Sequence, residues 1–135
     1  TGLARDGDQL VLTLSESGQI RTTAVLLAMG ASYNRIGVAS LEALAGAGVY
    51  YGGPTSEAPG TADCDVFVVG GANSAGQAAL HLARYARTVT LVVRADSLHA
   101  GMSDYLVRQV AATPNIEVRL RTAVVDGGAM PTSST

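Results

Sequence analysis

The sequence predicts an α/β fold, a parallel sheet wound through one strand, turn, helix and strand unit, and three observations carry that prediction. Residues 65–69 form a strand-like run, apolar from Val66 onward, that ends on Gly70-Gly71, residues 74–86 place small side chains at helical spacing, and residues 89–93 form a second, β-branched run. An apolar run without alternation suits a parallel strand covered on both faces. Strand, tight glycine turn, helix and second strand in that order make a βαβ unit, the building block of a Rossmann-like, three-layer parallel sheet.

The flanking elements follow from local pattern. Residues 9–14 alternate as a strand does, Ser17-Gly18 supplies a turn, and residues 19–29 begin polar and end in an apolar run. The expectation is a β-hairpin whose second strand enters a core. Residues 30–47 read as a loop with one helical turn at 41–45, residues 48–51 as a short strand, and residues 52–62 as a linker rich in Gly, Pro, Ser and Thr. Beyond the βαβ unit, Met102, Tyr105, Leu106 and Val110 fall at helical spacing, and Thr113-Pro114 stops that helix. Residues 116–120 begin a third strand, drawn as running on to Val125, and residues 131–135 read as a frayed tail.

Composition bounds the function. A chain of 135 residues that is 47% hydrophobic and 15% charged suits one globular domain with remnants of another. A net charge of −2 supplies no field for nucleic acid. The longest apolar run, residues 24–29, is far short of a bilayer span, and no secretory pattern precedes it, so the expected location is cytoplasmic. Cys64 is the lone cysteine, and with His81 and His99 it forms no metal-ligand spacing, so neither a disulfide nor a metal site is expected.

The chemistry is expected at Gly70-Gly71-Ala72-Asn73-Ser74-Ala75, where a buried strand turns into a helix. Gly70 permits the turn, residue 72 must be small so that backbone can approach a pyrophosphate, and Ala75 lets helix pack on strand. The helix start then offers unpaired N–H groups to the phosphates. Ala72 replaces the second glycine of the dinucleotide fingerprint, which is expected to weaken binding rather than abolish it. At the end of the second strand an acidic residue would favour NADH, whereas Arg94 can grip a 2′-phosphate through two donors, so NADPH is expected over NADH. Asp96 is the competing partner for Arg94, and His81 reads as a surface or packing residue.

With these residues in view, the chain resembles the pyridine-nucleotide domain of the low-molecular-weight thioredoxin reductases, FAD-dependent members of the pyridine nucleotide-disulfide oxidoreductases. The resemblance covers roughly residues 19–125. It rests on the strand-like run 24–30, the segment 48–51, the glycine turn and the run 89–94. It implies that residues 1–47 are an FAD-domain remnant with its connecting segment and that 48–128 are an incomplete NAD(P)H-binding domain; composition makes 129–135 an expected disordered tail. In the family a C-x-x-C follows the Tyr51-like position, and those places hold Gly52 and Thr55, so no dithiol relay is expected. The family's phosphate site carries two adjacent arginines and one further on. Arg94 matches the first, Ala95 replaces the second, and His99 occupies the last.

The family also implies an FAD glycine motif and a closing Gly-Asp segment, and neither is found here, so the expectation is a fragment of a larger flavoprotein. NADPH would pass hydride to FAD in the intact parent and onward to a protein or small-molecule acceptor. This chain alone is expected to bind nucleotide without catalytic residues of its own, and a homodimer is the assembly allowed for. The alternative is a non-catalytic nucleotide-binding or structural module derived from such a reductase. An independent dehydrogenase fits poorly, because no Tyr-Lys, His or Cys catalytic constellation is visible.

Overall fold

The computed structural model describes residues 2–52 and 57–130, so Thr1, Thr55 and the tail 131–135 lie outside the described residues. The chain divides into two compact units, Thr1–Ser32 and Tyr33–Thr135.

The first unit is an antiparallel sheet of β1 (Gly2–Asp6), β2 (Gln9–Thr13) and β3 (Gln19–Thr22), in that order. Gly7, at φ +59°, turns β1 into β2, and Ser17, at φ +62°, occupies the turn that the Leu14 amide closes onto the Gly18 carbonyl at 2.8 Å. The expected hairpin is therefore present, with an additional strand ahead of it. Gly, Ala and Asp have little strand preference, which hid β1 from view. β3 stops at Thr22, whose partner is Leu10, one residue short of the start of β2 at Gln9. The Ala24 amide then donates to Thr22 Oγ1 and turns the chain. The apolar run 24–29 does not enter a core here: Leu26 is 91% and Met29 85% exposed.

In the second unit, α1 (Ala39–Glu42) is the expected helical turn, begun two residues early. Among the described residues, 48–51 form no strand, and Val49 makes only an isolated bridge to Ala45. Glu42 instead organises this region. Its Oε1 accepts from the Tyr51 hydroxyl at 2.5 Å and from the Gly37 amide at 3.2 Å, while Arg35 Nη1 stands 2.9 Å from Oε2. The Tyr51 hydrogen bond, foremost, holds the Glu42 carboxyl below its ordinary range.

The parallel sheet runs β4 (Asp65–Val69), β5 (Thr88–Val92) and β6 (Ile116–Arg119), with Val69 opposite Val92 and Val92 opposite Arg119. Between the first two strands lies α2 (Asn73–Leu82), shorter than the sequence suggests because turns replace it from Ala83. Between the last two lies α3 (Asp104–Ala112), which ends at Thr113 as the following proline requires. Val89, Leu91 and Val93 face Ala79, Leu106 and Val110 in one core, completed by Val66 and Val68. The alternate residues of β5, Thr90 and Val92, are also buried, so the central strand is covered on both faces, whereas Phe67 and Val69 of the edge strand β4 are exposed.

Two anchors fix the lower end of the sheet. Asp65 accepts from Arg87 and from Thr88 Oγ1, and Asn115 Nδ2 donates to the carbonyls of Ala83 and Ala86. β6 does not run on to Val125. Arg121 adopts φ +51° and leaves the strand direction, while the Arg121 and Thr122 amides donate to the Ala95 and Val93 carbonyls.

Candidate functional site

The glycine turn is built by three close approaches. Gly70 adopts φ +146°, which L side chains rarely tolerate, and its amide donates to the Val92 carbonyl at 3.0 Å, tying the turn to the neighbouring strand. A methyl at Gly71 would stand 2.6 Å from Val93 Cγ1, so the backbone there lies hard against the core. The Ala75 methyl fills the space beside Gly70, 3.2 Å from where a Cβ would sit, in keeping with the packing role expected of it.

Ala72 is the N-cap of α2, with extended backbone at φ −98° and ψ 179° that any residue adopts. Its carbonyl accepts the amides of Ala75 and Gly76. Among the described residues the amides of Gly71, Ala72, Asn73 and Ser74 have no hydrogen-bond acceptor. Four orphan donors at the positive end of a helix are the donor set that a diphosphate needs. The extended Ala72 backbone carries no strain from its methyl.

Arg94 lies two residues past the end of β5 and is exposed. It makes no ion pair with Asp96 or any other described residue. Gly70, Gly71, Ala72, Ser74, Ala75, Ser97 and Arg94 line one broad open trough that also runs along much of the second unit, and the Gly70 amide bonded to Val92 puts the turn at the same strand end as Arg94. Asn73 and His99 do not line it. Asn73 Oδ1 accepts from the Ser103 amide at 2.8 Å, and His99 Nδ1 stands 2.9 Å from Asp104 Oδ1 at the start of α3. The structure thus brings together the turn and the strand-end arginine, and engages the remaining two candidates elsewhere. Residues that the sequence reading passed over support the turn: a methyl at Gly101 would stand 3.2 Å from the Gly71 carbonyl oxygen, and one at Gly76 would stand 2.8 Å from Met102 Sδ.

Other candidates carry less. His81 is half-buried beside the Tyr85 ring, with centroids 5.6 Å apart, consistent with packing. Cys64 is exposed, and no group of metal-ligating side chains exists among the described residues. No helix among the described residues is long and apolar enough to cross a membrane. Gly52, at φ +84°, holds the first of the two positions where the resemblance would put cysteine, and Thr55, the second, lies outside the described residues.

A parallel sheet whose first strand runs through a glycine turn into a helix, with orphan amides at the turn, defines a Rossmann-like βαβ unit. Residues 2–133 match the pyridine nucleotide-disulphide oxidoreductase family, and the chain belongs to that family. It is 40% identical over 88 residues to a thioredoxin reductase of Peptoclostridium acidaminophilum, an overlap of 65% of this chain and 28% of that protein. To a thioredoxin reductase of Mycolicibacterium smegmatis it is 43% identical over 90 residues, 67% of this chain and again 28% of the relative. The thioredoxin reductase structure from Streptococcus pyogenes superposes with a TM-score of 0.69 at 27% identity, covering 95% of this chain and 40% of that one. The chain therefore spans less than a third of the length of the curated relatives it matches.

Proposed function

We propose that this chain is the NADPH-binding part of an FAD-dependent oxidoreductase similar to thioredoxin reductase. The observation that carries the reading is the set of unbonded amides at Gly71, Ala72, Asn73 and Ser74, on a turn whose Gly70 amide is bonded to Val92, two residues before the unpaired Arg94. The amides hold the diphosphate, Ala75 keeps the helix close behind them, and Arg94 meets the 2′-phosphate with two donors. His99, with Nδ1 turned to Asp104, reaches phosphate only from Nε2 and only as a donor when protonated. NADH is disfavoured because no carboxylate ends β5 to accept from a ribose hydroxyl.

FAD belongs to the intact parent, where a bound flavin would supply the hydride acceptor. We assign residues 48–128 to nucleotide binding and 1–47 to the FAD domain and its connection. With glycine at position 52, the onward acceptor is reached without a dithiol of this chain, whether that acceptor is a thioredoxin-type protein or a small molecule. Alanine at position 72, in place of the fingerprint's second glycine, favours one other reading, a module that binds nucleotide without turnover. An FAD glycine motif in the flanking parent sequence would exclude that module, and lack of one would support it.

The test is calorimetric titration of the chain with NADPH and NADH. NADPH should bind in the range of roughly micromolar to millimolar, and Arg94→Ala should weaken it about tenfold or more while leaving NADH nearly unchanged. Equal losses for both nucleotides would refute the role given to Arg94.

A further inference from the structure

The segment from Leu98 to Ser103 is a strap that crosses the glycine turn. It begins as a short 3-10 turn, Leu98–Ala100, started by Ser97, whose Oγ accepts the His99 amide. Leu98 and Met102 are buried in the core, which fixes the strap from below. At its crest Gly101 rides on the turn itself, since even one methyl there would press on the Gly71 carbonyl oxygen at 3.2 Å and on Ala72 Cα at 3.7 Å. The strap is tied down by one long-range hydrogen bond, from the Ser103 amide to Asn73 Oδ1 at 2.8 Å, between residues 30 apart in sequence.

We infer that Asn73 is a positioning residue: its side chain clasps the strap onto the glycine turn and so holds the Gly71-Ala72 peptide, and the amides beyond it, in one orientation. This rests on the nucleotide-binding reading of the same turn, and it reassigns the Asn73 side chain, though not its amide, from contacting the nucleotide to shaping what does. The physical logic is preorganisation. Gly71 has no Cβ, so without a neighbour the peptide that follows it is free to rotate, and amides that rotate must be ordered again on every binding event. The Gly71 carbonyl oxygen under Gly101 blocks that rotation. Asn73 is suited to the task because its Oδ1 accepts the one strap amide aimed at α2, and because the same residue starts that helix, so clasp and phosphate donors move together.

The inference distinguishes Asn73 from Arg94. Losing the clasp disturbs the diphosphate cradle, which NADPH and NADH share, and leaves the 2′-phosphate contact in place. It also makes the Ser103 amide as important as the Asn73 side chain. That bond can also be broken from the strap side, since Ser103 lies at φ −62°, which proline adopts, and the ring Cδ that replaces the amide hydrogen pushes Asn73 Oδ1 away.

Amide hydrogen exchange and nucleotide titration of the full chain should be measured for wild type, Asn73→Ala, Ser103→Pro and the double variant, with thermal melts to verify folding. Asn73→Ala should speed exchange at Ser103 about tenfold, and Asn73→Asp, which keeps an acceptor oxygen, should restore the protection. Asn73→Ala and Ser103→Pro should each weaken NADPH and NADH by about three- to tenfold with their ratio unchanged, and the double variant should lose no more than either alone. Unchanged affinity in folded Ser103→Pro, or additive losses in the double variant, would overturn the inference and make Asn73 a direct ligand. If wild type binds neither nucleotide, the functional reading fails, and the exchange data alone decide whether the clasp exists: unprotected Ser103 in wild type overturns it.

Discussion

Gly71→Ala is the substitution whose cost can be worked most directly from the structure. The new methyl would stand 2.6 Å from Val93 Cγ1 and 3.7 Å from Val93 Cβ. Carbon atoms rest at about 3.5 to 4.0 Å, so about an ångström must be recovered. Val93 has little to give. It is β-branched and stiff about χ1, 2% exposed within the core, and pinned through its amide to the Arg119 carbonyl and through its own carbonyl to the Thr122 amide. Overpacking of this kind costs about 1 to 3 kcal/mol. At roughly 3 to 5 °C per kcal/mol for a domain of this size, a cost near the middle of that range lowers Tm by roughly 6 to 10 °C. Thermal melts followed by far-ultraviolet circular dichroism measure this directly. Val93→Ala removes the opposing methyl, so the double variant should lose less than the two single losses combined. A Gly71→Ala chain melting within about 1 °C of wild type, or strict additivity with Val93→Ala, would show that the turn does not press on the core as described.

Two further outcomes are expected. Ala72→Gly should tighten NADPH binding by roughly three- to tenfold at little cost in Tm, because glycine is a better N-cap than alanine and this offsets its backbone freedom; titration showing no gain would mean the methyl does not face the phosphates. Asp65 is held down to about 2, first by its hydrogen bond from Arg87 and then by that from Thr88. A carboxyl whose folded value is depressed contributes stability above its unfolded value near 4 and loses it as pH falls toward 2. The Tm of wild type should therefore fall through that window more steeply than that of Asp65→Asn, and parallel curves would refute the linkage.

Much of this architecture was legible because its signals are local. The runs at β4 and β5 are continuous and β-branched, the glycines fall between strand and helix, and Thr113-Pro114 stops α3 where the next residue forbids αR geometry. The failures share a cause, since strand formation depends on a partner that pattern does not reveal. Residues 48–51 have strand-like side chains but only a bridge at Val49, whereas Gly2–Asp6 lacks them and still forms β1 because β2 lies alongside. At the site, the turn and Arg94 could be found from spacing. The bond between Asn73 and Ser103 could not, because a backbone amide has no sequence signature and nothing periodic links the two positions.

The backbone on either side of Arg94 has a further consequence. The Val93 and Ala95 carbonyls are both captured by donors from residues 121–122, so the main chain at this position is anchored on a stationary pedestal while the guanidinium projects unrestrained into solvent. Any anion drawn to it meets a charge on a long tether with a fixed root, and the ordering required on capture is confined to one side chain's torsions. Phosphates of somewhat different reach can then be gripped without the sheet having to yield.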